Sequence, residues 1–213
     1  MPRVLVLALA ATAVASAGRL RVDGRGLVLD GRKWIQRGVT YAPTPIGQDP
    51  TAWSAGEPLL SAEYADMHER DVNLLADMGA NNVRLYQLTG DSSAFLQRAH
   101  EANLTAMGGF GLYVDTANPA SMFLPTASVL QGLKDELRAA LRQHNHTALT
   151  FWSVGNELNG VWNNWVGDAD DCPNCLMGDD VQLLYGPIND LCGIVHEFGL
   201  LWRKFQVLHP LRA

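Results

Sequence analysis

The sequence has few charged residues, no basic run and, after its first 17 residues, no long apolar run. Charged residues make up 18% of the 213, and the net charge is -6. Because binding to a phosphate backbone requires clustered Lys and Arg side chains, this balance argues against a nucleic-acid partner. No later stretch reaches the roughly 18 to 20 apolar residues of a membrane helix. The mature chain is therefore predicted to have no transmembrane helix.

The N-terminus predicts export. Arg3 is followed by the apolar run Val4–Ala13 and then by the small residues Ala15-Ser16-Ala17. This order is typical of a signal peptide, here residues 1–17, that is cleaved before Gly18. We therefore expect a secreted or cell-surface and cell-wall location. The triplets Asn103-Leu104-Thr105 and Asn145-His146-Thr147 fit that route as N-glycosylation sites.

Cysteine is scarce as well: the three residues are Cys172, Cys175 and Cys192. In an exported chain this odd number leaves one thiol unpaired or paired with sequence that is not present. The spacing Cys172-Pro173-Asn174-Cys175 favours a disulfide over zinc, because export favours oxidation and no second ligand pair is visible. His144-Asn145-His146 is similarly weak as a metal site. We predict no metal and no cofactor.

Residues 18–31 alternate between apolar and polar positions around two Asp-Gly pairs, which predicts an N-terminal β-hairpin across the N-terminal mouth of a barrel. Residues 32–198 then alternate between strand and helix patterns. Predicted strands are Lys33–Thr40, Asn82–Tyr86, Thr105–Gly111 and one that ends at Glu157. Predicted helices are Ser61–Met78, Asp91 or Ser92 to Ala102, one opened by Pro125 and Ser128, and one between Val181 and Phe198 that is interrupted or begun at Gly186-Pro187.

This alternation predicts an α/β fold with a parallel sheet that curls toward a barrel wall. On the first helix Met67, Leu74, Leu75 and Met78 are expected to face the core, with Ser61 as N-cap. Phe95, Leu96 and Ala99 should point inward from the second helix, and Leu130, Leu133, Leu137 and Leu141 from the third. Gly108-Gly109 is interpreted as close packing at the barrel wall. No fifth strand is evident, and the tail 199–213 has no assignment.

The most informative motif is Leu149–Glu157, an apolar run that ends in Asn156-Glu157. In a parallel barrel, functional residues gather where strands end. A carboxyl group between apolar packing and solvent holds its proton near neutrality, as a general acid must. Glu157 is therefore the predicted acid.

At this point the chain resembles retaining glycoside hydrolases with a (β/α)8 barrel, in which the fourth strand ends in Asn-Glu. Arg37–Tyr41 is similar to that family's first strand, and Asp71–Tyr86 to its first helix and second strand, so the resemblance spans residues 20–160. The same helix and second strand also resemble β-1,3-glucanosyltransferases. The resemblance implies that Glu157 is the acid/base and that Asn156 binds the sugar 2-hydroxyl.

It further implies that Arg84 keeps a nucleophilic carboxylate ionised and oriented. Tyr41, Tyr86 and Trp152 are candidate platforms for sugar rings, with core packing as the alternative for each. The implied substrate is a polysaccharide or oligosaccharide.

A second carboxylate, which retaining enzymes need about 5 to 5.5 Å from the first, is missing from the pattern. After Glu157 the chain has one further Glu, Glu197, in a helical segment. A full barrel takes about 250 residues, so we expect a truncated (β/α)8 barrel of about four strands, inactive by itself. Hydrolysis, glucanosyl transfer and a non-catalytic carbohydrate-binding or vestigial role remain as alternatives.

Overall fold

Two β-sheets and four α-helices are seen in the computed structural model, which describes residues 20–50, 59–88, 90–112, 127–156, 181–199 and 201–202. The first sheet is antiparallel and contains β1 (Arg21–Asp23), β2 (Gly26–Leu29) and β3 (Arg32–Trp34). The second is parallel and contains, in chain order, β4 (Gly38–Thr40), β5 (Asn82–Arg84), β6 (Thr105–Phe110), β7 (Leu149–Val154) and β8 (Leu201–Trp202).

Helices connect the parallel strands. They are α1 (Ala65–Asp77), preceded by a 3-10 turn at Ala62–Tyr64, α2 (Ser93–Glu101), α3 (Ala127–Gln143) and α4 (Val181–Glu197). The predicted parallel α/β arrangement is confirmed. No helix within these described ranges is both long enough and apolar enough to cross a bilayer.

The N-terminal segment has three strands where the sequence predicted two. Asp30 and Gly31 both have positive φ angles, 50° and 78°, so the second Asp-Gly pair forms a tight turn and Lys33 comes to lie opposite Val28. The predicted strand Lys33–Thr40 was therefore wrong. Its first residues belong to β3, and the parallel sheet begins only at Gly38.

Two apolar cores form on the two faces of the parallel sheet. The larger lies between the sheet and the helices and includes Val83, Phe95, Leu137 and Leu191. In the smaller, Leu20 and Leu27 of the N-terminal segment pack against Met107 and Phe151 of β6 and β7. The antiparallel sheet therefore packs on the face of the parallel sheet opposite the helices.

The buried face of α1 agrees with the prediction at Leu75 and differs from it elsewhere. His68, Val72 and Leu75 are buried, whereas Leu74 and Met78 are 59% and 68% exposed. His68 Nε2 lies 2.8 Å from the Leu59 carbonyl oxygen. The helix is oriented so that the face formed by His68, Val72 and Leu75 points into the core. Ser61 is the N-cap of the 3-10 turn that leads into α1, but its side chain makes no capping hydrogen bond.

The inward faces of the next two helices are confirmed: Phe95, Leu96 and Ala99 are buried on α2, and Leu137 and Leu141 on α3.

The C-terminal part of the fold contains more structure than the sequence predicted. Helix α4 begins at Val181 and continues through Pro187, so it is neither interrupted nor begun there. A fifth parallel strand, β8, pairs Leu201 with Phe151. Two residues are too few to give a periodic signal, which is why this strand was not recognised. Cys192 is buried on α4, and the predicted disulfide Cys172–Cys175 falls outside the described residues.

Two buried histidines make acid pH destabilising. Burial lowers the pKa of His68 and of His144, whose Nδ1 lies 2.8 Å from Ser92 Oγ. Because the folded-state pKa is below the unfolded value near 6.5, the unfolded chain binds the extra protons. The resulting stability is present above about pH 6.5 and is lost as the pH falls through the folded-state pKa.

We therefore expect the free energy of unfolding, measured by urea titration, to fall between pH 7.5 and pH 5. The fall should be smaller in His144→Gln than in the wild type, and His196→Gln, which alters an exposed histidine of α4, is the matched control. The same pH slope in the wild type and in His144→Gln would contradict the assignment to His144.

Candidate functional site

Two predicted site residues meet at the C-terminal edge of the parallel sheet. Arg84 is the last residue of β5, and Asn156 follows β7 by two residues, so β6 lies between their strands. Arg84 Nη2 donates a hydrogen bond to Asn156 Oδ1 over 2.5 Å. With Oδ1 occupied by the guanidinium, the Asn156 amide group is oriented so that its NH₂ is the donor toward any further partner.

The contact depends on a glycine in the intervening strand. The chain after β5 passes so close to β6 that a Cβ at Gly109 would lie 1.9 Å from the Tyr86 carbonyl oxygen. Gly108 is also tight, with Leu88 and Trp152 side-chain atoms 3.0 Å from its would-be Cβ. The interpretation of Gly108-Gly109 as close packing is confirmed, and this packing brings the residues after Arg84 over β6.

A second glycine directs Asn156. Gly155 has φ 75°, a left-handed conformation that favours glycine, and its N–H donates to the Phe110 carbonyl over 2.8 Å. Ser153 Oγ donates to the Gly155 carbonyl over 3.1 Å. The chain therefore turns sharply after β7 and exposes Asn156, whereas every residue of β7 is buried.

Tyr86 contacts the same guanidinium from another side. Arg84 Cζ lies 4.6 Å from the centroid of the Tyr86 ring, within the range of a cation–π interaction. Arg84 is therefore held by an aromatic face and by a hydrogen-bonded amide. Tyr86 is thus at the site, but the structure shows it in contact with Arg84, where the sequence predicted a platform for a sugar ring.

Thr40 is a member of this edge that the sequence analysis missed. It lies opposite Arg84 in the parallel register and is exposed at the end of β4. Side chains of register partners project from the same sheet face, so the Thr40 hydroxyl is on the side of Arg84. The alternation of side chains along β4 could have indicated this position, because Val39 packs on the helix-side core and its neighbour Thr40 must then point to the other face.

Tyr41 and Trp152 are not brought to this edge. Tyr41 donates to Asp71 Oδ2 over 3.0 Å and stacks on Phe95 with ring centroids 5.1 Å apart, and burial raises the pKa of its hydroxyl. Trp152 is 1% exposed within the helix-side core, its ring 6.4 Å from that of His144. Both side chains therefore lie on the helix side of the sheet.

The structure describes one of the two glutamates considered as catalytic carboxylates, Glu197, and not the other, Glu157. Glu157 follows Asn156 directly but lies outside the described residues. Glu197 is on α4, as the sequence predicted, with its side chain 62% exposed and Oε2 3.9 Å from Arg138 Nη2. The carboxylate of Glu197 is therefore engaged with a cation of α3.

Similar solved structures include two that match most of the chain at low sequence identity. Saccharomyces cerevisiae Gas2p in complex with laminaripentaose matches 84% of the chain with TM-score 0.57 and 13% identity, and the match covers 37% of that structure. The endo-1,4-β-mannanase from Rhizomucor miehei matches 90% of the chain with TM-score 0.58 and 12% identity, over 64% of its own length. The fold is of the TIM-barrel type.

One curated protein is similar in sequence. A β-glucuronidase from Bacteroides fragilis is 33% identical over 105 residues, which are 46% of this chain and 14% of that protein. No protein-family model matches the sequence. The chain therefore spans less than two thirds of each of these relatives, and the likeness to the solved structures establishes the fold.

Proposed function

We propose that the chain belongs to a secreted glycoside hydrolase lineage that cleaves β-glycosidic bonds in polysaccharide by a retaining mechanism. Glu157 is the general acid and base in this proposal, Asn156 binds a sugar hydroxyl, and Arg84 positions the charged groups around them. The observation that carries the proposal is the Arg84–Asn156 hydrogen bond at the C-terminal edge of a TIM-barrel-type sheet. That edge is where enzymes of this fold bind substrate.

The geometry supports a division of roles. Because Asn156 Oδ1 accepts from Arg84, the Asn156 NH₂ is directed to donate to a sugar hydroxyl oxygen. The Arg84 guanidinium adds a fixed positive charge, which keeps a neighbouring carboxylate ionised. A retaining reaction requires one ionised nucleophile and one protonated acid, and a cation at the edge favours that asymmetry.

β-1,3-Glucanosyl transfer is the second candidate. The likeness to Gas2p, solved with laminari-oligosaccharides, favours it at the level of the fold. Transfer and hydrolysis share the glycosyl-enzyme and differ in whether a sugar hydroxyl or water attacks it. A non-catalytic carbohydrate-binding role is the third. Incubation of the full-length natural protein with laminari-oligosaccharides distinguishes them: shorter products indicate hydrolysis, longer products indicate transfer, and binding without products indicates the third.

The proposal predicts a specific cost for Arg84→Lys. Lysine keeps the charge but lacks the planar guanidinium that stacks on Tyr86 while it donates to Asn156. We expect kcat/KM for the oligosaccharide to fall by about ten- to a hundredfold, because displacing a positioning group by about 1 Å costs rate on that order. The melting temperature should change little.

The matched control is Arg138→Lys, which alters an arginine that pairs on the surface with Asp135 and Glu197. Its kcat/KM should equal that of the wild type. An Arg84→Lys protein with wild-type kcat/KM, or one whose loss follows only from unfolding, would remove the support that this contact gives to the proposal.

A further inference from the structure

The two Asn-x-Thr triplets come together at the end of the sheet opposite the Arg84–Asn156 contact. Asn103 lies in the turn between α2 and β6, and Asn145 in the turn between α3 and β7. Because β6 and β7 are parallel neighbours, both turns lie at the N-terminal ends of these strands. The rings of His100, in the last turn of α2, and of His146, in the turn before β7, are 6.1 Å apart. Both asparagines are exposed.

The two triplets differ at their threonines. Thr105 is the first residue of β6, and its hydroxyl donates to the Asn81 carbonyl over 3.0 Å and accepts from Asn82 Nδ2 over 2.8 Å. It is therefore incorporated into a network at the base of the sheet. Thr147 lies two residues before β7, in the turn, and is half-exposed. The triplet of Asn145 thus lies wholly outside the strand.

We propose that Asn145, and not Asn103, carries an N-linked oligosaccharide. A glycosylated triplet is expected in a surface loop, from which the attached glycan projects into solvent. Asn145 is exposed, and Thr147 is half-exposed in the turn, as Thr105 is at the start of β6. At Asn103 the asparagine is exposed, but the hydroxyl of Thr105 is used inside the fold.

The chemical step requires a lipid-linked oligosaccharyl diphosphate as donor. The Asn145 amide nitrogen forms a bond to the anomeric carbon of the first sugar, and the bond from that carbon to the diphosphate oxygen breaks. The electron pair leaves on the diphosphate, and the amide nitrogen loses one proton to a base of the transferase. No oxidant or reductant is required.

The position of Asn145 keeps the glycan away from the candidate site. Strand β7 has six residues and separates the turn that holds Asn145 from the turn that holds Asn156. At about 3.3 Å per residue the strand alone spans about 20 Å. A glycan on Asn145 therefore leaves the Arg84–Asn156 edge open. This inference depends on the predicted export of the chain and is independent of the proposed glycosidase activity.

The test expresses the full chain, with its own N-terminus, in a eukaryotic secretory host. Peptide N-glycosidase converts each glycosylated asparagine into aspartate, which mass spectrometry of the peptides then locates. We expect a single gel-mobility shift that is lost completely in Asn145→Gln and in Thr147→Ala. The shift should be retained in Thr147→Ser, which keeps the hydroxyl, and in Asn103→Gln.

Two results would overturn the proposal. One is wild-type protein, secreted or retained in the cell, with no conversion at residue 145. The other is conversion at residue 103 to the same extent as at 145, because the difference between Thr105 and Thr147 would then not determine the acceptor. Activity of the protein is not needed for either measurement, so failure here leaves the proposed function unaffected.

Discussion

Replacing Gly109 by alanine is expected to cause the largest loss of stability of any single-methyl change in the described sheet. The new Cβ would lie 1.9 Å from the Tyr86 carbonyl oxygen and 2.4 Å from its carbonyl carbon. Both are backbone atoms, so no side-chain rotation relieves the overlap, and β6 or the segment after β5 must move. Overpacking costs about 1 to 3 kcal/mol where side chains adjust and more where they cannot. We expect the free energy of unfolding to fall by about 3 kcal/mol or more.

The matched control is Gly132→Ala. Gly132 is in the interior of α3, and a Cβ added there meets no heavy atom within 4 Å. Alanine is favoured over glycine in a helix by about 0.5 to 1 kcal/mol, so this variant should be more stable than the wild type. Urea unfolding of both variants measures the contrast. Equal stability of Gly109→Ala and the wild type would mean that the chain does not cross β6 as closely as the structure shows.

The same displacement should also separate Arg84 from Asn156, since the residues after Arg84 are the ones that must move. The effect of Gly109 on stability and its effect on the site therefore have one cause. This connection was partly predictable from the sequence. The Gly108-Gly109 pair indicated close packing, and the predicted parallel sheet implied that functional residues gather where its strands end.

What the sequence could not supply was the direction of individual side chains. Tyr41 and Trp152 are aromatic residues near strand ends, but strand alternation places them with Val39 and Val154 in the helix-side core. Periodicity gives the faces of a strand without saying which face meets helices when both are apolar, as on fully buried β7. The orientation of α1 was missed for a similar reason, because buried His68 was not counted among the core residues.

A further limit is set by length. Leu201–Trp202 is recognisable as a strand only through its pairing with Phe151 and Trp152, a contact between residues about fifty positions apart. The sequence also predicted one strand, Lys33–Thr40, where the structure has β3 and β4. The strand-like residue pattern continues across Ile35, although the chain passes there from the antiparallel to the parallel sheet. Local sequence therefore predicted the order of elements well and their pairing less well.

The second large effect is expected for Glu157→Gln in the full-length natural protein. Glutamine occupies the same volume but cannot donate and recover a proton, and general acid–base catalysis contributes about 10² to 10⁴-fold. We expect kcat/KM on unactivated β-glucan to fall by about that factor. Glu197→Gln is the matched control, because this exposed glutamate lies on α4 beside Arg138 and should leave kcat/KM unchanged.

The leaving group separates an acid from a residue that merely supports the fold. In an aryl β-glycoside whose phenol has a low pKa, the phenolate leaves without being protonated. Formation of the glycosyl-enzyme from this substrate should therefore be nearly as fast in Glu157→Gln as in the wild type. Hydrolysis of the glycosyl-enzyme should be slow in Glu157→Gln, because no base deprotonates the attacking water. Added azide should restore turnover, since azide attacks without a base. A glycosyl azide of retained β configuration is the expected product. Equal losses on the glucan and on the activated aryl glycoside, with no azide rescue, would show that Glu157 is not the acid and base.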